Sequence, residues 1–84
     1  MRIYLQAPAG DERPPRFYQL FLQEDLLGGW SLMRKWGYQG GSVTVKMEHH
    51  ECREDADDAL MRYRDAQLKR GYRVVFAEGE GAPQ

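Results

Sequence analysis

Cysteine and long apolar runs are what this sequence most clearly lacks. Its single cysteine, Cys52, excludes an internal disulfide framework, and without a second thiol nearby a structural zinc site has too few ligands. No window approaches the roughly eighteen apolar residues of a membrane span, and the N-terminal stretch MRIYLQAPAGDERPP has no apolar core of a secretory signal. We therefore expect a cytoplasmic protein that does not bind membranes.

The sequence also lacks an excess of one charge and the motifs of catalysis. Twelve Lys and Arg against thirteen Asp and Glu give a formal net charge of −1, so any binding to nucleic acid must come from a local patch. We find no nucleophile elbow, phosphate-binding loop or oriented Cys/His pair. The run His49-His50-Glu51-Cys52 has metal-ligand residue types, but neighbours in an extended segment point apart. We therefore expect no catalytic residues, no metal, no cofactor and no enzymatic activity.

What the sequence does have is hydrophobic periodicity, and it predicts one small α+β domain. A chain of 84 residues has room for one domain with a modest core. Period-two alternation predicts strands over 16–23, 30–38, 43–49 and 72–76, and a helical spacing covers 53–70. The apolar stripe of that helix is predicted to be Ala56, Ala59, Leu60, Tyr63 and Ala66. The order β-β-β-α-β implies an antiparallel sheet of about four to five strands packed by one α-helix.

The two ends of the chain are predicted to lie outside the packed domain, which we place at residues 16–76. Small, charged and proline residues from Ala7 to Pro15 favour a flexible lead-in over residues 1–15, within which residues 1–5 could pair as a short edge strand. Residues 77–84, which end in GEGAPQ, are predicted to be a flexible tail.

The stretch WSLMRKWGY, residues 30–38, contains both tryptophans of the chain. In a strand, Trp30, Arg34, Trp36 and Tyr38 share one face, so an arginine lies among aromatic rings. Two interpretations are open. The rings could be core residues, with the arginine extending past them to solvent. Alternatively, rings and cations could form a surface that stacks on a base or sugar and pairs with phosphates.

An ordered set of residues around this stretch resembles a WGR domain, a family named for a Trp-Gly-Arg tripeptide on one strand. The resemblance covers residues 16–72, most of the chain. Trp36-Gly37 alone would be a weak signal, whereas the ordered set is a strong one. The set comprises Arg16-Phe17-Tyr18, Gly28-Gly29-Trp30, Trp36-Gly37, Gly40, Ala56, Ala59 and Lys69-Arg70-Gly71-Tyr72.

The resemblance implies an antiparallel sheet packed by one helix, and it implies contact with DNA. WGR domains of poly(ADP-ribose) polymerases contact DNA near strand breaks, where the motif tryptophan packs against a sugar at the DNA terminus. That role would fall to Trp36. The family also occurs in small stand-alone bacterial proteins, the type that this chain resembles. Transferase activity does not carry over, because the chain has no room for a polymerase domain. Tyr38 stands in place of the motif arginine and keeps a planar ring without the five-donor fork.

Our leading hypothesis is a monomeric, non-catalytic module that binds nucleic acid, namely a DNA end or backbone. Binding should be weak and salt-sensitive, because the patch is small and the start of the helix is acidic. The alternative is a protein–protein interaction module that does not bind nucleic acid, favoured by the net acidity and the missing arginine. The candidate binding residues are Arg34, Lys35, Trp36, Gly37, Tyr38, Lys46, Lys69 and Arg70.

Overall fold

In the described residues, five strands form one antiparallel sheet, and one helix packs against one of its faces. A computed structural model describes residues 1–10 and 14–79. The order of strands across the sheet is β4-β3-β2-β1-β5. The predicted α+β fold is therefore confirmed. The elements are β1 (Arg2–Ala7), β2 (Arg16–Glu24), β3 (Trp30–Tyr38), β4 (Val43–His50), α1 (Arg53–Lys69) and β5 (Arg73–Glu78).

The core lies between α1 and the sheet. Alternate residues of β2 face the helix, so Leu20 and Leu22 are buried while Gln19 and Phe21 face the other way and are only half-buried. Burial of these apolar side chains is the main force that holds the helix on the sheet. The fully buried large side chains are Ile3, Leu5, Leu20, Leu22, Leu32 and Leu60.

The first strand corrects the prediction for residues 1–15. Strand β1 lies between β2 and β5 rather than at an edge, and its Ile3 and Leu5 have no exposed surface. The reason is long-range pairing: β1 meets β2 on one side and β5 on the other, which local periodicity does not reveal. Within the predicted flexible lead-in, Ala7 is buried, and residues 11–13 lie outside the described residues.

The C-terminal part of the chain corrects two smaller predictions. Strand β5 continues to Glu78, where Ala77 pairs with Ile3, so residues 77 and 78 belong to the sheet; residues 80–84 of the predicted tail lie outside the described residues. In α1, Gln67 rather than Ala66 is buried. Both positions continue the helical stripe, one three and the other four residues after Tyr63, and the sheet lies on the Gln67 side.

The β2–β3 hairpin fixes the register that later defines the site. Gly28 has a φ of 86°, a conformation that glycine adopts without the steric cost of a side chain. One carboxylate oxygen of Asp25, Oδ1, accepts hydrogen bonds from the backbone N–H groups of Leu27 and Gly29, each at 2.9 Å. The strands then pair without interruption from Glu24 opposite Trp30. No helix in the described residues is long and apolar enough to cross a membrane.

Candidate nucleic-acid interface

A cleft lies where the last turn of α1 meets the start of β2 and the end of β3. Its volume is about 200 Å³, and it lies on the helix-bearing face of the sheet. We call it the aromatic cleft. It is lined by Arg16, Tyr18, Trp36, Gly37, Tyr38, Gln67, Arg70 and Tyr72.

Trp36 forms one wall of the aromatic cleft, supported by the ring behind it. Tyr18 is its partner across the β2–β3 pair, and the two rings stack with centroids 5.6 Å apart and an angle of 16° between their planes. The Tyr18 ring also meets Tyr72 edge-on at 6.3 Å. Tyr18 is buried, whereas Trp36 is only half-buried and packs against the edge of the core. This tryptophan therefore packs on the edge of the core and also lines the cleft; contact of its ring with a base or sugar stays a prediction.

Two arginines border the aromatic cleft. Arg16 begins β2, and its guanidinium carbon lies 5.3 Å from the centre of the Tyr72 ring, within range of a cation–π interaction. Arg70 follows the last residue of α1, where its backbone N–H bonds to the carbonyl of Gln67 at 3.0 Å. The cleft therefore combines stacked rings with two permanently charged, multi-donor side chains.

Gly37 and Tyr38 have different parts in this geometry. A β-carbon on Gly37 would collide with the carbonyl oxygen of Ser42, because β4 begins so close to β3 at this point. Tyr38 ends β3 opposite Arg16 in the strand pairing. The ring that replaces the motif arginine thus has an arginine as its cross-strand neighbour.

Arg34 lies behind Trp36 and not in the aromatic cleft. Its guanidinium carbon is 4.1 Å from the centre of the Tyr63 ring on α1 and 5.4 Å from that of Trp36. Its side chain is 22% exposed, and its Nε lies 3.8 Å from a carboxylate oxygen of Glu48. In this place Arg34 supports the tryptophan and is poorly placed to contact phosphate.

The Glu48 carboxylate connects β4 to the helix. One oxygen, Oε1, accepts a hydrogen bond from the Tyr63 hydroxyl at 2.6 Å, and the other, Oε2, lies 2.6 Å from Nε2 of His50. Burial alone would raise the pKa of Glu48, but these hydrogen bonds and the nearby Arg34 outweigh it and hold the pKa below its ordinary value. The ionised carboxylate thereby holds Tyr63, the ring over which Arg34 lies.

The predicted binding residues divide into two groups of four. Successive side chains of a strand point to opposite faces, and Arg34 and Trp36 point to the face that carries the helix. Lys35, which lies between them in β3, therefore points to the face without the helix. Lys46 lies opposite Arg34 on β4, and Lys69 is the exposed last residue of α1. The residues that line the aromatic cleft are Trp36, Gly37, Tyr38 and Arg70, and those that do not are Arg34, Lys35, Lys46 and Lys69.

Four further residues line the cleft but were not among the predicted binding residues: Arg16, Tyr18, Gln67 and Tyr72. Of these, all but Gln67 belong to the set that carries the WGR resemblance. Arg16 could have been found by counting pairs from the Gly28-Gly29 turn, since Glu24 opposite Trp30 places Arg16 opposite Tyr38. The signal for Gln67 was weaker, because a glutamine on an apolar helix stripe interrupts the pattern that marks the buried face.

Comparison with known proteins gives one family. The sequence model described as the WGR domain matches residues 1–79. The chain is also 29% identical over 72 residues to the uncharacterized protein y4dW of Sinorhizobium fredii, an alignment that covers 86% of this chain and 35% of that protein. The chain thus spans about a third of the length of this relative. No solved structure matches the chain significantly.

Proposed function

Because this chain belongs to the WGR domain family, a nucleic-acid-binding type of module in poly(ADP-ribose) polymerase-like proteins, we propose that it binds nucleic acid through the aromatic cleft. The proposed ligand is the end of a DNA duplex, where a terminal sugar is accessible to a ring. The proposed role is binding without catalysis.

The observation that carries this proposal is the stacked Trp36 at the wall of a cleft bordered by Arg16 and Arg70. A volume of about 200 Å³ is smaller than the roughly 300–1,000 Å³ of sites that enclose a small molecule. It suits one sugar or base edge of a polymer that lies mostly outside. Stacking on aromatic rings tolerates any sequence, because every base and sugar has an apolar face.

The charges around the aromatic cleft favour a polyanion. Arg16 and Arg70 each offer a planar fork of donors that matches a phosphate group. The acidic residues of the first helical turn, Glu54 and Asp55, lie at the opposite end of a 17-residue helix. At 1.5 Å per residue that end is about 25 Å away, well beyond the roughly 8 Å over which charges act at physiological salt. The acidic helix start therefore opposes binding less than the sequence suggests.

Fluorescence anisotropy with a labelled blunt duplex of about 12 base pairs tests the proposal. We expect Arg16→Gln and Arg70→Gln each to weaken binding and to lower the salt dependence of the affinity, because each removes a phosphate contact. Arg62→Gln is the matched control, since it is an exposed arginine on α1 that does not line the cleft. Equal affinities for all three variants would overturn the proposal.

A protein partner is the second candidate, and the tip of the β2–β3 hairpin favours it. Leu26 and Leu27 are 104% and 90% exposed, on a turn that Asp25 holds in place. Adjacent leucines with this exposure are a feature of protein-binding surfaces. Capture of partners from nuclease-treated lysate by the parent and by a Leu26→Ser, Leu27→Ser double variant tests this. Identical captured proteins, or none, would count against the hairpin as a docking site.

A further inference from the structure

Strand β4 is an edge strand with one side open. Among residues 1–10 and 14–79 it pairs only with β3, and that pairing runs without a break from Trp30 opposite His50 to Gly37 opposite Val43. The strand contains no proline and no bulge, so its outer edge offers a regular row of N–H and C=O groups to another strand. We propose that β4 pairs antiparallel with β4 of a second copy of this chain, which joins the two sheets into one of ten strands.

The opposite edge of the sheet shows why β4 is the edge used. Strand β5 is six residues long, and its pairing with β1 shifts register between Tyr4 and Leu5. Such irregularities twist an edge away from further pairing. Strand β4 has eight residues and an even register, and its two central charges, Lys46 and Glu48, have opposite signs, so a second copy can pair them.

The side chains of β4 match a second copy on the uncovered face. Within the described part of the chain, no helix packs on the sheet face to which Val43, Val45 and Met47 point, and these residues are 46%, 52% and 60% exposed. When the two-fold axis passes through Met47, Met47 meets the partner's Met47 and Val45 meets the partner's His49, whereas Val43 lies beyond the paired residues. Apolar and β-branched pairs across antiparallel strands stabilise a sheet.

Charge complementarity selects the register. Residues opposite each other in an antiparallel pair must share a face, so the two-fold axis passes through one residue of β4. An axis at Met47 pairs residues 44–50 of both copies and places Lys46 opposite the partner's Glu48, twice by symmetry. An axis at Lys46 would instead oppose two lysines, and an axis at Glu48 two carboxylates, both of which are destabilising. An axis at Val45 opposes no like charges, but it pairs only residues 43–47 and leaves both Lys46 and Glu48 without an opposite charge.

Glu48 can accept this additional contact. A carboxylate has about four acceptor sites, and Tyr63 and His50 occupy only part of them. Lys46 is exposed on the same face of β4. The net charge of −1 per chain adds little repulsion between two copies. The sequence predicts a monomer, so the state in solution decides between the two expectations.

Disulfide formation from introduced cysteines tests the register. In a Cys52→Ser background, Met47→Cys brings its two β-carbons to about 4.5–5.5 Å, within reach of a disulfide. Val43→Cys is the matched control, equally placed on the exposed face, but its two copies lie about 26 Å apart along the strands. We expect Met47→Cys to cross-link at least tenfold faster at equal reactivity towards an external thiol reagent. Equal rates, or a faster Val43→Cys, would overturn the proposed pairing.

Sedimentation equilibrium of the parent protein without DNA tests the dimer itself. We expect a mass of twice 9.8 kDa at high protein concentration. The dissociation constant of the dimer should be at least tenfold larger for Lys46→Glu, because each introduced carboxylate would lie opposite the carboxylate of the partner's Glu48. Lys46→Gln should weaken the dimer less than Lys46→Glu does, because it removes an attraction without adding a repulsion. A mass of 9.8 kDa at every concentration up to about 1 mM would overturn the proposal. Because DNA is absent from both experiments, their outcome is independent of the proposed binding function.

Discussion

The two ends of strand β3 carry the same residue in two different settings. Trp30 and Trp36 lie on one face of the sheet, are both half-buried, and both pack against the same core with a cation near the ring. At Trp30 the cation is Arg53, the first residue of α1, which is 3.6 Å from the carboxylate of Asp57. At Trp36 the helix ends, and Arg70 lines an open cleft beside the ring.

We propose that helix polarity, more than residue type, distinguishes the tryptophan that would meet a polyanion from the one that would not. Helix starts favour acidic residues and helix ends favour basic ones, because of the partial charges of the helix dipole. Here Glu54 and Asp55 lie in the first turn and Lys69 in the last. Because Arg53 at the start of α1 lies over Trp30, and Arg70 after its end lines the cleft beside Trp36, the acidic first turn lies at the Trp30 end of β3 and the basic last turn at the Trp36 end.

Substitution of each tryptophan should give the largest difference in DNA affinity between the two ends of β3. We expect Trp36→Leu to weaken DNA-end binding about 10- to 100-fold, since stacking on an aromatic side chain contributes about 1–3 kcal/mol. Trp30→Leu should leave the affinity within about twofold of the parent. Fluorescence anisotropy measures both affinities, and thermal unfolding shows whether both variants are folded. A larger loss for Trp30→Leu would reverse the assignment of the two ends.

Removal of the Glu48 charge, which lies behind Trp36, should lower the stability of the fold more than it lowers binding. We expect Glu48→Gln to lower the free energy of unfolding by about 1–2 kcal/mol, because it weakens charge-assisted hydrogen bonds from Tyr63 and His50. Urea unfolding measures this. The Trp30 side offers the control Asp57→Asn, on an exposed pair, which we expect to cost less than about 0.5 kcal/mol. Equal losses for the two variants would contradict a special role for Glu48.

The two arginines at the helix ends give a smaller contrast. We expect Arg70→Gln to lower DNA affinity about three- to tenfold and to reduce the slope of log affinity against log salt by about one. Arg53→Gln should change neither quantity, since Arg53 lies over Trp30 and pairs with Asp57. A salt titration of both variants checks the contrast. A slope that changes only for Arg53→Gln would place the phosphate contact at the wrong end.

Acid should affect the hairpin near Trp30 least of all. Backbone hydrogen bonding from Gly29 lowers the pKa of Asp25 from its ordinary 3.8, burial acts against it, and contacts with Leu27 and His49 lower it further. A carboxylate with a lowered folded pKa stabilises the protein fully above its ordinary pKa, and this contribution is lost as the pH falls through the folded value. We expect Asp25→Asn to make the free energy of unfolding slightly less dependent on pH below about pH 4. Urea unfolding at pH 7 and pH 3 checks it; an unchanged pH dependence would contradict the pKa shift.

Most of the fold could be predicted from the sequence because the hydrophobic pattern repeats regularly along the whole of β2, β3, β4 and α1. Strand β1 could be recognised as a possible strand, but its interior place depends on pairing with β5, more than 60 residues later in the chain. Local patterns carry no information on such a partner. The same limit applied to residues 77 and 78, which join the sheet only because β1 is there to pair with them.

The candidate site was predictable where its residues are neighbours in the chain. Trp36, Gly37 and Tyr38 follow one another on β3, and the resemblance to the WGR family pointed to them directly. Strand alternation already separates Lys35 from Trp36, so its placement on the other face could have been foreseen. Arg34 could not be resolved in the same way, since it shares the face of Trp36 and only the packing of Tyr63 places it behind the ring.

An NMR titration of the labelled protein with a blunt DNA duplex tests the central claim most directly. The two indole N–H signals report on Trp30 and Trp36 in one sample, so each is the control for the other. We predict that the Trp36 signal and the amides of Arg16 and Arg70 shift at low salt and return at moderate salt, while the Trp30 signal stays in place. Shifts confined to Trp30, or no shifts at a large excess of DNA, would contradict DNA-end binding at the aromatic cleft.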